Sequence, residues 1–126
     1  MSDPKKQFEF KDSGQREGFE TGAVRDSREG KGRYDLISPF ALKRIARIYE
    51  LGAQKYAPRN WEKGMPISRY LDSALRHIMQ FMMGMQDEDH VAHAAWNLMC
   101  ILHFDCLGRS DLFDLPGSPK GQEVEK

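Results

Sequence analysis

The stretch DEDHVAHAAWNLMCILHFDCLG, residues 87–108, decides the fold. Asp87, Glu88 and Asp89 open it, which suits both a helix cap and the positive end of a helix dipole. The run ends at Leu107, with Gly108 as its stop. Between these ends, Val91 to Phe104 is apolar nearly all round. A helix of that kind lies at the centre of its domain or inside an oligomer. One polar stripe interrupts it. Asp89, His93 and Asn97 follow i, i+4, i+8, and His90 and Asn97 are seven apart. The stripe runs into Cys100, Ile101 and Phe104, so its polar groups stand at the mouth of a buried seam. Buried polar groups are costly unless they are paired or coordinate something.

Working outward, the preceding segment predicts a second helix from Ser68, after Pro66, with Gly84 at its C′ position. Leu71, Ala74, Leu75, Ile78, Phe81 and Met82 are its expected buried stripe. A first helix starts at Ser38-Pro39, a capping serine followed by proline, and ends near Gln54. Ala41, Ile45, Ile48, Tyr49 and Gly52 share one face, while Lys43, Arg44, Arg47 and Glu50 fall largely on the other. No alternating strand pattern of useful length occurs. The expected fold is all-α: a small bundle of three main helices over residues 36–108. Residues 1–35, glycine-rich and polar, read as an extended arm, and residues 109–126 as a flexible tail. Three short helices give a thin core, because below roughly 70–80 residues a single core supplies only a few kcal/mol. A homodimer or homotetramer with the third helix at the interface is therefore expected.

The whole chain has 126 residues, with 19 Lys+Arg against 19 Asp+Glu. That length fits one domain, and the charge balance argues against a nucleic-acid coat, which needs a basic surface. The mean hydropathy of −0.67 is that of a soluble chain. No apolar run approaches the roughly 20 residues needed to span a bilayer, and no signal peptide is visible. Cys100 and Cys106 are too few for a disulfide scaffold, so a reducing, cytoplasmic setting is expected.

All four histidines fall in the last two helices. His77, Glu88, Asp89, His90 and His93 form a candidate set for Mg²⁺ or Mn²⁺ between two facing helices. Taken singly, each is better explained by a paired core histidine or a solvated helix start, and only their convergence makes the metal reading its equal. His103 reads as structural, and Cys100 and Cys106 as core thiols. The connection between the first two helices carries Lys55, Tyr56, Arg59, Asn60 and Trp61. Cations for phosphate, aromatic faces for a base and an amide for its edge are what a nucleotide pocket uses. A solvated loop anchored by one tryptophan is the plainer reading. Arg76, just before His77, flanks the seam face of the second helix. Arg25, Lys31 and Arg33 lie among glycines that let backbone N–H groups approach phosphate. They do not form a P-loop, since Lys31 is followed by Gly32.

Four blocks taken together carry a resemblance: GAVRDSREGKGRYDLISP (22–39), ELGAQKYAPRNWEKGMP (50–66), SRYLDSALRHIMQF (68–81) and DEDHVAHAAWNLMCIL (87–102). In this order they resemble the small phage dATP/dGTP diphosphohydrolase (MazZ-like) family, related to the all-α MazG-like nucleoside triphosphate pyrophosphohydrolases. The resemblance implies Mg²⁺- or Mn²⁺-dependent hydrolysis of dGTP or dATP to monophosphate and pyrophosphate by a homo-oligomer. The dGMP so formed would feed synthesis of 2-aminoadenine nucleotides for a modified phage genome, in the host cytoplasm. The wider superfamily places its metal carboxylates as E-E-x-x-E and E-x-x-D on successive helices. Neither pattern stands on these helices. The polar stripe and the basic loops instead suggest a rebuilt site: a catalytic set of His77, Glu88, Asp89, His93 and Asn97, with Arg25, Lys31, Arg33, Lys55, Tyr56, Arg59, Asn60, Trp61 and Arg76 on the substrate. Two other readings remain: an HD-like phosphohydrolase releasing tripolyphosphate, and a helical oligomer that binds nucleotides without turnover.

Overall fold

A computed structural model describes residues 8–117. It divides into two compact units, residues 1–36 and 37–126. In the first, β1 (Arg16–Gly18) pairs antiparallel with β2 (Val24–Asp26), with Glu17 opposite Arg25. The hairpin is held by polar side chains rather than a core. Asp26 accepts from Ser13 Oγ at 2.7 Å and from Lys31 Nζ at 2.6 Å, and Arg16 bridges Asp12 at 2.7 Å. This corrects the reading of residues 1–35 as wholly extended. The strands were hidden because each is three residues long and neither has a buried face.

The second unit contains, among the described residues, three α-helices: α1 (Pro39–Lys55), α2 (Ile67–Met82) and α3 (His90–Cys106). Local chemistry sets their ends. Ser38 Oγ accepts from the Ala41 N–H and Pro39 occupies the first turn. Asp89 caps α3 by accepting from the Ala92 N–H. Gly84 and Gly108 follow α2 and α3 at φ +79° and +68°, left-handed positions that favour glycine. No helix among the described residues is long and apolar enough to cross a membrane.

α3 packs against both α2 and α1. The core joins Ile67 and Tyr70 of α2 to Cys100 and Phe104 of α3, and adds Phe113. Phe113 lies in the stretch read as a flexible tail. That boundary is corrected for residues 109–115: the 3-10 turn Ser110–Leu112 folds back, Phe113 is buried, and the Asp114 carboxylate accepts from Ser68 N and Oγ at 2.9 and 2.5 Å. Residues 118–126 lie outside the described residues. A Cβ on Gly64 would stand 2.8 Å from Leu112 Cδ1, so this returning segment and the glycine fit each other.

The buried stripe of α2 also differs from expectation. Ile67, Tyr70, Ala74 and His77 face inward. Leu75, Phe81 and Met82 are 60%, 58% and 72% exposed, with Ile78 beside them. Apolar residues occupy more than half of this helix's circumference, so hydrophobic spacing alone does not choose the inward arc. The large Tyr70 side chain and the polar partners of His77 choose it.

Candidate active site

His77 faces His90 and Ser73 faces Asn97, the crossed numbering of an antiparallel pair, so the end of α2 meets the start of α3. At this end the Nδ1 atoms of His77 and His90 stand 2.8 Å apart, both rings buried. His90 Nε2 meets Asp87 Oδ1, also at 2.8 Å. A neutral His90 that donates from Nε2 to Asp87 keeps a lone pair at Nδ1. His77 then donates from Nδ1 and is left with a free lone pair at Nε2. His93 stacks on His77, with ring centroids 4.5 Å apart, and its Nε2 is 3.5 Å from Glu88 Oε1. Burial, reinforced by the His93 ring, holds the His77 pKa below its ordinary 6.5. The His90 contact holds Asp87 below the usual carboxylate range.

Three consecutive acids therefore take three different partners: Asp87 takes His90, Glu88 faces His93, and Asp89 takes Arg44. Arg44 Nε and Nη2 donate to the two Asp89 oxygens at 2.9 and 2.6 Å, which depresses the Asp89 pKa. Asp89 thus stands as a cap and ion-pair partner, apart from the tight set. That set, among the described residues, is His77, Glu88 and His90, whose ligand-capable atoms all lie within 4.8 Å of one another. Two imidazoles and one carboxylate fit a divalent ion, and the nitrogen donors suit Mn²⁺ better than Mg²⁺, which prefers oxygen. Asp87 would orient His90 as an outer partner in the way metal-bound histidines are commonly held.

Along the same seam lies a cavity of about 620 Å³. Its wall is aromatic: Tyr49, Tyr56, Trp61, Tyr70 and Trp96. Tyr49 meets Trp61 and Trp96 edge-on, with centroids 5.6 and 6.0 Å apart. Trp61 is turned inward by the 3-10 turn Asn60–Lys63 and packs edge-on to His103 at 4.9 Å. Asn97 reaches both regions. It lines the cavity, and its Nδ2 donates to the His93 carbonyl at 2.8 Å and to Ser73 Oγ at 3.2 Å.

Of the loop residues expected at substrate, Tyr56, Asn60 and Trp61 line this cavity, as does Arg76. Arg76 is paired with Asp72 at 3.0 Å. Lys55 and Arg59 are not among the lining residues. The Lys55 Nζ lies over the Tyr56 ring at 5.2 Å, and Arg59 pairs with Glu62. Arg25, Lys31 and Arg33 belong to the first unit, where Asp26 holds Lys31 and Asp35 holds Arg33. Cys100 is buried and its thiol is pushed up to about 12 by burial, as a core thiol should be.

Residues 21–111 match the family described as dATP/dGTP diphosphohydrolase, N-terminal. The chain belongs to that family. It is also similar to a dATP/dGTP diphosphohydrolase of Salmonella phage PMBT28, at 37% identity over 78 residues. That match covers 58% of this chain and 27% of the relative, so the chain spans about a quarter of the relative's length. No solved structure matches the chain significantly. The family match spans α1, α2 and α3, and with them the histidine cluster and the aromatic cavity.

Sequence reasoning missed Arg44, Tyr49, Tyr70, Ser73, Asp87 and Trp96 as site residues. Arg44 and Asp89 are 45 positions apart, and no local pattern joins them. Trp96 did carry a signal: an indole beside the polar stripe of an apolar helix brings a donor that needs a partner.

Proposed function

We propose that the chain hydrolyses purine deoxynucleoside triphosphates, dGTP or dATP, to the monophosphate and pyrophosphate with a divalent cation. One observation carries this reading: the buried His77–His90 pair beside Glu88 lies on the same α2–α3 seam as an aromatic cavity large enough for a nucleotide. Family membership and the printed name of the phage relative support it.

Tyr56 and Trp61 offer faces to the purine, Asn60 offers its amide to the base edge, and Arg76 meets the phosphates at the rim. His77, His90 and Glu88 would hold Mn²⁺ or Mg²⁺, which when bound polarises phosphoryl oxygen and acidifies water. Asp87 orients His90, and Asn97 fixes the turn of α3 that presents His93. His93 accepts the proton of the attacking water. Attack at the α-phosphorus breaks its bond to the bridging oxygen, and pyrophosphate leaves with that electron pair. The exposed arc of α2 around Phe81 and Met82 supports self-association as a homodimer or homotetramer, because contiguous apolar surface of this kind marks contact sites.

The test is product analysis by phosphorus NMR with dGTP and Mn²⁺, on wild type and His77→Ala. Pyrophosphate from wild type and none from the variant are expected. Tripolyphosphate, or no turnover by wild type, would overturn the reading. Sedimentation of Phe81→Glu against wild type checks the oligomer, and an unchanged assembly would remove α2 from the interface.

A further inference from the structure

The wall of the aromatic cavity also carries charge. Three cations line it, Lys63, Arg69 and Arg76, against a single acid, Asp72. The whole chain is balanced at 19 Lys+Arg and 19 Asp+Glu, so this excess is local. Asp72 is taken by Arg76 at 3.0 Å. Lys63 and Arg69 form no ion pair among the described residues. The other arginines of the helical unit, Arg44, Arg47, Arg59, Arg76 and Arg109, each hold a carboxylate. Lys63 and Arg69 are both exposed, so their charged ends are open to a ligand arriving from solution.

Their placement along the seam narrows what they meet. Arg69, Asp72, Ser73 and Arg76 follow i, i+3, i+4, i+7 and all line the cavity, so one side of α2 runs along it. Arg76 directly precedes His77 of the metal-capable set and stands at that end. Arg69 lies two turns earlier, about 10 Å away along the helix axis. Lys63 closes the 3-10 turn that carries Trp61 and reaches the cavity from the loop. A concave wall of one sign focuses potential and concentrates ligands of the other sign. The guanidinium fork matches paired phosphate oxygens, and the lysine ammonium acts beside it as a point charge. On the proposed mechanism the α-phosphorus reacts beside His77, so cations two turns away suit phosphates other than the reacting one.

We propose that Lys63 and Arg69 form a subsite for the β- and γ-phosphates of the bound nucleotide, set apart from the reacting end where Arg76 stands. The proposal rests on the reading of this seam as a site for deoxynucleoside triphosphates. In that role the pair neutralises the pyrophosphate as it takes the electron pair of the broken bond to the α-phosphorus. It also separates substrate from product. A monophosphate keeps the base and the α-phosphate but leaves both cations without an anion, so the subsite favours the triphosphate.

The experiment is calorimetric titration with dGTP and with dGMP in excess EDTA, on wild type, Lys63→Gln, Arg69→Gln and Lys43→Gln. Lys43 is exposed on α1 and does not line the cavity, so its variant measures the effect of overall charge. Lys63→Gln and Arg69→Gln should each bind dGTP about tenfold more weakly, the loss of one charge-assisted bond. Their affinity for dGMP should stay within about twofold of wild type, and Lys43→Gln should bind both nucleotides as wild type does. An equal loss for dGMP would overturn the proposal, because the pair would then face the base or the α-phosphate. An equal loss in Lys43→Gln would overturn it too, as would a loss in only one of the two cavity variants. If wild type itself binds no dGTP, the nucleotide reading falls and takes this proposal with it. Normal wild-type binding with unaffected variants removes the proposal alone.

Discussion

The two ends of the α2–α3 seam are built from different chemistry. At the histidine end polar side chains hold one another: Asp87 with His90, His90 with His77, Glu88 facing His93, and Asp89 with Arg44. At the cavity end the wall is made of rings, among them Tyr49, Tyr56, Trp61 and Trp96. A cation entering the first region must replace bonds that already exist. A flat ring entering the second meets aromatic faces. The histidine end is thus preorganised by polar contacts, and the cavity by the edge-on packing of its rings.

The harshest way to break the histidine end is His77→Ala. It removes a candidate ligand and leaves His90 Nδ1 buried without its partner. Pyrophosphate release should fall on the order of a thousandfold, read as initial rate at saturating dGTP. Phe113→Ala attacks the core that supports the cavity wall near Gly64. It should cost about 3 kcal/mol in a urea melt, the usual range for a buried phenylalanine. A much smaller cost would return residues 109–115 to the status of a tail. Tyr56→Ala touches only the cavity. Tyr56 is 65% exposed, so the Tm should hold while dGTP binding weakens about tenfold, the range of one lost stacking contact.

Acid probes the histidine end more gently. The folded His77 pKa lies below 6.5, so between that folded value and 6.5 the unfolded chain binds more protons. His77 therefore favours the folded state fully above 6.5, and this contribution declines as pH falls toward the folded value. Melts from pH 7.5 to 5 should show the Tm falling, with a flatter curve for His77→Gln. Arg44→Ala should have the smallest effect. Its ion pair is largely exposed and exposed pairs contribute little, while Asp89 still caps α3. Because Arg44 depresses the Asp89 pKa, the small loss should be present above the carboxylate range and vanish as pH falls through it.

Much of the helical unit was legible because its signals are local. The Ser38 and Asp89 caps and the glycines after α2 and α3 act within one turn of chain, and the structure places them where the sequence predicts. The polar stripe of α3 was legible for the same reason, since i, i+4 spacing fixes a shared face. The illegible features are long-range. The inward arc of α2 depends on what faces it, so Leu75 and Phe81 were misassigned. The pairing of Arg44 with Asp89 and the return of Phe113 to the core leave no periodic trace. The β1–β2 hairpin escaped because polar side chains hold it, and its strands carry no hydrophobic alternation.

The sequence alone determined three helices, their caps, a nearly all-apolar α3 and the candidate chemistry of histidines, acids and aromatics. These follow from spacing along one chain, where a turn of helix sets neighbours. Only the tertiary structure decided that Asp87 binds His90 while Asp89 goes to Arg44, and that Lys55 and Arg59 fall outside the cavity. A side chain's partner depends on which helix faces it and on which competing group arrives closer, and neither is a property of the residues beside it in sequence.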